Sequence, residues 1–494
     1  MLLAGLDIGS TGCKISVFQP DGKYLGGIGR EYPVQRSHSA HEVDADAIWT
    51  AVQEVITEAS GKYPGIGGIG ITSFGESFAM LDEHDESLMP VMLYTDPRGM
   101  DQSEQLKKIL GDEKLMEITG LAAHHMYSIP KLMWVKENCP EVFAKTKKIL
   151  LMQDFIVYRL TGVAQIDYSL VTRTMAFDIR KLQWSDEVLD AAGIDSGLFS
   201  RPVPTGTSAG TVRPGLREKL GLSPETIIVS VSHDQVAAAI GSGVFDESAT
   251  VDGAGTVQCM TPVFRSYNAA KMAENTYAIV PFIKEGCYVT YGFSYTGGAL
   301  VKWFVDNMAG HALQKANELG VNIYDFLEGE LSDEPTGLLV LPHFAGAGTP
   351  YMDGSSKGAI VGLTLAHTQQ EIYRAIMEGV CYEMRLNQKR LAECGVTVAP
   401  IHATGGGAKS RVWMQMKADV LNVPVTAMET PEAGAAGSAM LVGIAAGVFC
   451  NIEEAAAAMV RPKHTYYPRP EVHEKYEKVF ERYEKLYNAV RPLI

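Results

Sequence analysis

The chain has 494 residues, a formal net charge of −15, 46% hydrophobic and 20% charged residues, and 49 glycines spread along its length. One hydrophobic core serves roughly 250 to 300 residues, so two large domains of an ordinary globular protein are expected. The acidic balance without any basic run argues against a nucleic-acid partner, and no apolar run approaches the ~18 residues of a membrane span.

The opening MLLAGLDIGST lacks a positive lead and is too briefly apolar for a signal peptide, which implies a cytoplasmic protein. Residues 3–18, LAGLDIGSTGCKISVF, read as strand, glycine-rich turn, strand, and PDGKYL turns into a third short strand. Residues 44–60 place Ile48, Val52, Val55, Ile56 and Ala59 at helical spacing, ahead of GIGGIGITSF, where a strand begins. That stretch contains Gly65-Ile66-Gly67-Gly68-Ile69-Gly70, a literal G-x-G-x-x-G. It precedes a strand instead of following one and opening a helix, so a dinucleotide-binding unit is not implied.

Helical and strand-like segments alternate up to IIVSVSHDQ, a buried strand running into a polar triplet, followed by the apolar helix VAAAIGSGV. Residues 248–264, SATVDGAGTVQCMTPVF, then repeat the strand, glycine-rich turn, strand of the opening. Repetition at about 245 residues marks the start of two equivalent halves, 1–245 and 246–494. At the far end, residues 470–490 set Val472, Tyr476, Val479, Tyr483, Leu486 and Val490 on one stripe, an amphipathic helix packing on its own domain. The seven scattered cysteines, without a C-x-x-C pair, read as buried thiols, and His124-His125 as structural or surface residues.

Asp7-Ile8-Gly9-Ser10-Thr11-Gly12 combines a carboxylate with a tight turn of small residues. Such a turn lets backbone N–H groups converge on an anion, while an Asp at the strand end can hold hydrated Mg2+. Asp252-Gly253-Ala254-Gly255-Thr256 offers the same chemistry from the second half. Alone, either is an ordinary turn; as a pair opening two halves they suit ATP-dependent phosphoryl transfer, which needs positioning and charge neutralisation. No Walker A sequence is present. Asp234, in His233-Asp234-Gln235, stands where a strand meets a helix and suits either a general base or an N-cap. Glu76 and Asp96 follow apolar strands and suit either sugar hydroxyls or solvent. The glycine-rich loop 404–410 opens a helix, and its backbone can approach a flat or anionic ligand closely.

These residues resemble the FGGY carbohydrate kinases over essentially the whole chain. The matching stretches include GLDIGST (5–11), LYTDPRG (93–99), PKLMWVKENCPEVF (130–143), SHDQVAAAIGSG (232–243), GAGT (253–256), TGGAL (296–300), PHFAGAGTPYMD (342–353) and TGGGAKSRVWMQMKADVLNVPV (404–425). The resemblance implies an α/β fold of two actin-like, ribonuclease-H-like domains flanking a central cleft. Residues 1–245 would form the sugar side with the catalytic Asp, and 246–494 the ATP side. By the same resemblance, Asp234 is the catalytic base and Asp7 the acid beside Mg2+ and the γ-phosphate. Thr11 and Thr256 fall in the phosphate turns, Gly255 and Gly297 in nucleotide-side turns, and Gly406, Gly407 and Ala408 against the adenosine. Glu76, Asp96 and Gln235 fall at substrate hydroxyls.

Residues 130–185 are most similar to xylulokinases, which implies a ketopentose such as xylulose. Glu76 and the Asp234-Gln235 pair are more similar to glycerol kinases, although Gly75 stands where those place an arginine, so a glycerol or other polyol kinase is the alternative. An actin-like ATPase without a sugar substrate is the reading from a different class. A homodimer is the commonest assembly for such a chain.

Overall fold

The opening hairpin forms as its glycine-rich turn implies. In the computed structural model, which describes residues 1–329, 331–429 and 432–493, β1 (Leu2–Ile8) pairs antiparallel with β2 (Gly12–Phe18), and β3 (Tyr24–Glu31) extends them. The register sets Asp7 opposite Lys14. The Asp44 side chain caps α1 (Ala45–Lys62), whose Ile48, Val52, Val55, Ile56 and Ala59 are buried, and the chain returns through β4 (Ile66–Ser73), parallel to β1. Beyond α2 (Ser128–Asn138) and α3 (Tyr168–Thr172), β5 (Thr207–Thr211) leads into β6 (Ile227–His233), and α4 (Asp234–Gly241) starts at the next residue. The sheet order is β5-β6-β4-β1-β2-β3.

The sequence repeat divides the chain at 245/246. By contacts, one unit comprises Met1–Phe245 together with Ala278–Val289 and Thr430–Val460, and the other comprises Asp246–Tyr277, Thr290–Glu429 and Arg461–Ile494. The late return of residues 430–460 explains the glycines of β4. Helix Ala433–Ala445, AGAAGSAMLVGIA, lies flat on the first sheet: a Cβ on Gly5 would sit 2.4 Å from the Ala435 carbonyl oxygen, and one on Gly70 2.8 Å from that of Ser438. The helix crosses α4 as closely, since a Cβ on Gly241 would come within 1.8 Å of the Ala433 carbonyl oxygen and one on Gly437 within 2.1 Å of that of Ala237. Where backbones touch, only glycine fits.

The second unit repeats the pairing. β7 (Thr250–Ala254) and β8 (Gln258–Phe264) are antiparallel, β9 (Gly292–Ser294) adds antiparallel to β8, β10 (Ile401–Thr404) and β11 (Val425–Met428) follow parallel, and β12 (Pro462–Tyr466) closes antiparallel. The first unit shows the same succession of antiparallel and parallel contacts. The helices of the second unit include α5 (Gly298–Met308), α6 (Gln369–Glu393) and α7 (Arg411–Leu421).

Two expectations need correction. The C-terminal helix is two, α8 (Pro470–Tyr483) and α9 (Leu486–Val490), and its buried residues are Tyr476, Phe480, Tyr483 and Leu486. Phe480 replaces Val479 because the stripe that meets α6 is the one packing its rings around Tyr382, whose ring centroid lies 5.4 to 6.5 Å from those of Tyr476, Phe480 and Tyr483. All seven cysteines are free thiols, but Cys139 is only half-buried and Cys450 is exposed. Cys450 lies just before the Asn451 cap of helix Ile452–Met459, where its N–H donates to Glu454.

Candidate active site

β1, β4 and β6 run parallel side by side, and Asp7, Glu76 and Asp234 lie at or just beyond their carboxyl ends, the edge where α/β sheets place ligand groups. Asp234 is the first residue of α4; His233 holds the N-cap position. Its carboxylate Oδ1 accepts the Gln235 N–H at 2.6 Å and lies 3.3 Å from His233 Nε2. Although 37% of the side-chain surface stays open, burial of the carboxyl pushes it up to about 6, against the pull of the Gln235 amides and of Arg173. Burial, reinforced by Arg173, pushes His233 down to about 3, so its imidazole is neutral beside the acid. The His233 N–H donates to Ser169 Oγ at 2.9 Å, which ties the end of β6 to α3.

Asp7 is pushed up to about 7 by burial first, then by Asp234 and Glu432, with only Lys14 opposing. Lys14 is itself engaged by Glu432, at 2.6 Å. Glu432 adopts a left-handed conformation (φ 52) at the start of the returning helix. Thr11 is exposed in the turn, which is closed by Gly9 N–H donating to the Gly12 carbonyl at 2.9 Å and by the Tyr32 hydroxyl donating to Gly9 and Gly12.

Glu76 is buried and also left-handed (φ 65). Arg173, at the end of α3, donates to its Oε1 through Nε at 2.7 Å and through Nη2. No hydrogen-bond donor among the described residues reaches Oε2. Asp96 is different. Its two oxygens accept the His41 N–H, the Arg98 N–H and two guanidinium N–H groups of Arg98, so its acceptor sites are filled. Lys131, on α2, is wholly buried, donates to the Asp96 carbonyl at 2.7 Å, and is pushed down to about 8 by burial. His124 and His125 stack at 4.3 Å, and burial pushes both down to about 4; among the described residues no group of three potential ligands forms a metal site.

In the second unit the expected nucleotide-side residues converge. Gly298 N–H donates to the Gly255 carbonyl at 2.9 Å and Gly297 N–H to that of Thr256 at 3.0 Å, joining the β7–β8 turn to the start of α5. The turn Gly406–Lys409 follows β10, and Gly407 lies against Ala254, where a Cβ would be 3.0 Å from the Ala254 Cβ. Thr256 and Gly406 are exposed, Gly255, Gly407 and Ala408 half-buried. Asp252 corrects one expectation: it is fully buried, 2.5 Å from Lys417 Nζ, and bonded to the Gln258 amide, so the backbone of this turn and the exposed Thr256, not the carboxylate, are left for a ligand.

Sequence reasoning passed over Lys14, Lys131, Arg173 and Glu432. Lys14 carried a signal, because hairpin pairing places it across from Asp7. Arg173 and Glu432 did not, being brought in from 97 residues beyond Glu76 and 418 beyond Lys14.

Two units whose main sheets share the same succession of strand pairings, each opening on a glycine-rich turn, define the class, the two-domain actin-like, ribonuclease-H-like phosphotransferases. The solved xylulose kinase from Rhodospirillum rubrum superposes with a TM-score of 0.88 over 100% of this chain and 99% of that one, at 23% identity. Residues 2–241 match the N-terminal domain, and residues 254–446 the C-terminal domain, of the FGGY family of carbohydrate kinases. The chain belongs to that family and is a carbohydrate kinase. It is similar to the xylulose kinase of Bacillus subtilis (27% identity over 99% of this chain and 97% of the relative). It is equally similar to the gluconokinase of Bacillus licheniformis (27% over 99% and 96%).

Proposed function

We propose that the protein is a cytoplasmic kinase that transfers the γ-phosphoryl group of ATP to a hydroxyl of an open-chain sugar or polyol, a ketopentose such as xylulose being the first candidate. The observation that carries this is Asp234, an acid pushed up to about 6 at the mouth of β6 with its side chain partly open. A carboxyl tuned there is ionised at neutral pH and still basic enough to take a hydroxyl proton as that oxygen attacks phosphorus. Residues 1–245 supply the sugar side and 246–494 the nucleotide side. Glu76 offers Oε2 to a substrate hydroxyl and Gln235 a side-chain amide. Asp96, its acceptors filled, contributes by fixing Arg98 and the position of Lys131.

Mg2+ fits beside Asp7, because an acid crowded by two others is relieved by a cation, and Mg2+ sites use one or two carboxylates together with phosphates. When bound it supplies charge neutralisation on the phosphates. Thr11 and Thr256 place hydroxyls and N–H groups in the two phosphate turns, Gly255 and Gly297 bring backbone close to the nucleotide, and Gly406, Gly407 and Ala408 form the surface for the adenosine. A sugar acid is the second reading, because the gluconokinase relative is as similar as the xylulose kinase.

The test is coupled ADP release with Mg-ATP against ketoses, polyols and sugar acids, run beside Asp234→Asn. Stimulation by one compound, falling by about 100-fold or more in the variant, supports the reading. An ATPase rate indifferent to every compound would move the assignment to an actin-like ATPase.

A further inference from the structure

Gly75, Glu76 and Arg173 form one assembly at the end of β4. A Cβ on Gly75 would lie 2.9 Å from Arg173 Cγ, so the stem of the arginine rests directly on the glycine backbone. Ser128 Oγ donates to the Glu76 carbonyl at 2.6 Å and helps hold the left-handed residue in place. Arg173 and Glu76 are nearly sealed, at 7% and 3% exposure, and the Tyr127 ring covers the guanidinium at 5.2 Å. Nε and Nη2 of the guanidinium donate to the same oxygen, Oε1. Burying two charges is costly and is offset only by full hydrogen bonding, so a pair serving stability alone would engage both oxygens. An open Oε2 on a strained, locked residue marks a functional arrangement instead.

We infer that the Glu76–Arg173 pair selects an uncharged polyhydroxyl substrate over a sugar acid. Arg173 is the positioning residue that aims Glu76 Oε2 at a substrate hydroxyl, and Gly75 is the gap that lets it reach. This rests on the sugar-kinase reading and narrows it. Oε2 accepts a hydroxyl proton but repels a carboxylate, and Asp234 adds negative charge nearby. The cations around it are committed: Arg173 to Glu76, Arg98 to Asp96 and Glu42, and the sealed Lys131 to a carbonyl. A buried carboxylate without a cation of its own is strongly disfavoured.

Steady-state ADP release is measured with D-xylulose, D-ribulose, glycerol and D-gluconate on the wild type, Arg173→Gln, Arg173→Lys and Gly75→Ala. One neutral compound is expected to exceed gluconate in kcat/KM by roughly tenfold or more. Arg173→Gln raises its KM by about tenfold or more while KM for ATP stays within about twofold, and Arg173→Lys, which keeps the charge without the fork, restores part of the loss. Gly75→Ala, which displaces the arginine stem, gives the same sugar-specific rise and serves as the test where an Arg173 variant fails to fold. Gluconate as the best substrate, or an unchanged sugar KM in these variants, overturns the inference and leaves the kinase reading intact. No response of the wild type to any of the four compounds overturns both.

Discussion

Asp7 lies near the end of β1 and Asp252 in the matching strand β7, each leading into a glycine-rich turn and an antiparallel partner. Across the hairpin Asp7 faces Lys14, whereas Asp252 faces Met260. The local pattern suggests that Asp7 is the neutralised acid. The structure reverses this: Lys14 is engaged by Glu432, while Lys417 arrives from 165 residues away to close on Asp252 in a fully buried pair. Matching turns have therefore been given opposite electrostatics. The first holds a crowded, raised carboxyl suited to a cation; the second holds a spent carboxylate that stiffens a backbone cradle.

The comparison can be broken most forcefully at its buried pair. Lys417→Met leaves Asp252 charged and unpaired, and should cost about 3–5 kcal/mol in denaturant unfolding, while adding Asp252→Asn should recover most of the loss. A cost below about 1 kcal/mol would mean that the buried pair contributes little to holding the second unit together. In the first unit the equivalent change should act with the opposite sign. Asp7→Asn should lower sugar-stimulated ADP release by about 100-fold or more and raise thermal stability, the usual exchange at a strained functional acid.

Proton linkage sharpens the same contrast. Folding raises Asp7 from 3.8 to about 7, so the folded protein keeps a proton that the unfolded chain gives up. The stability this acid allows is full below pH ~4 and falls as pH climbs to about 7, a slope that Asp7→Asn should flatten in metal-free unfolding curves. With Mg2+ beside Asp7 as proposed, metal and proton compete for the carboxyl, and the Mg2+ concentration giving half-maximal rate should rise up to about tenfold per pH unit below 7, measured in a titration at pH 6, 7 and 8. The smallest effect belongs to Asp234: kcat should fall on an acid limb centred near its value of about 6, and a limb centred near 4 would show that the base is not desolvated.

What could be read from the sequence was local. The two hairpins, the capped α1 with its apolar face, and β6 running directly into α4 each carry their signal within about 20 residues. The chain positions of Asp7, Glu76 and Asp234 after strands followed from the same signals. What remained hidden depends on distant contacts. Nothing near Asp96 says that the His41 N–H, 55 residues away, fills one of its acceptor sites. Nothing near Asp252 points to Lys417, and nothing in β4 says that GIGGIG makes room for a helix encoded over 360 residues later. The C-terminal helix shows the same limit at closer range, since periodicity marked a stripe but the rings of α6 decided which neighbouring residue joined it.

The returning helix has a consequence for how the protein is made. Its closest contacts are with Gly5 on β1, Gly70 on β4 and Gly241 on α4, all translated long before it. Domains commonly fold as they leave the ribosome, at about 5–20 residues per second. Here the sheet that carries Asp7 and leads into Asp234 stays uncovered on that face until residues 433–445 emerge, at least about ten seconds after β6. A nascent or truncated chain ending before that point exposes an apolar, glycine-lined sheet face, which makes the first unit the part of this protein most in need of protection during synthesis.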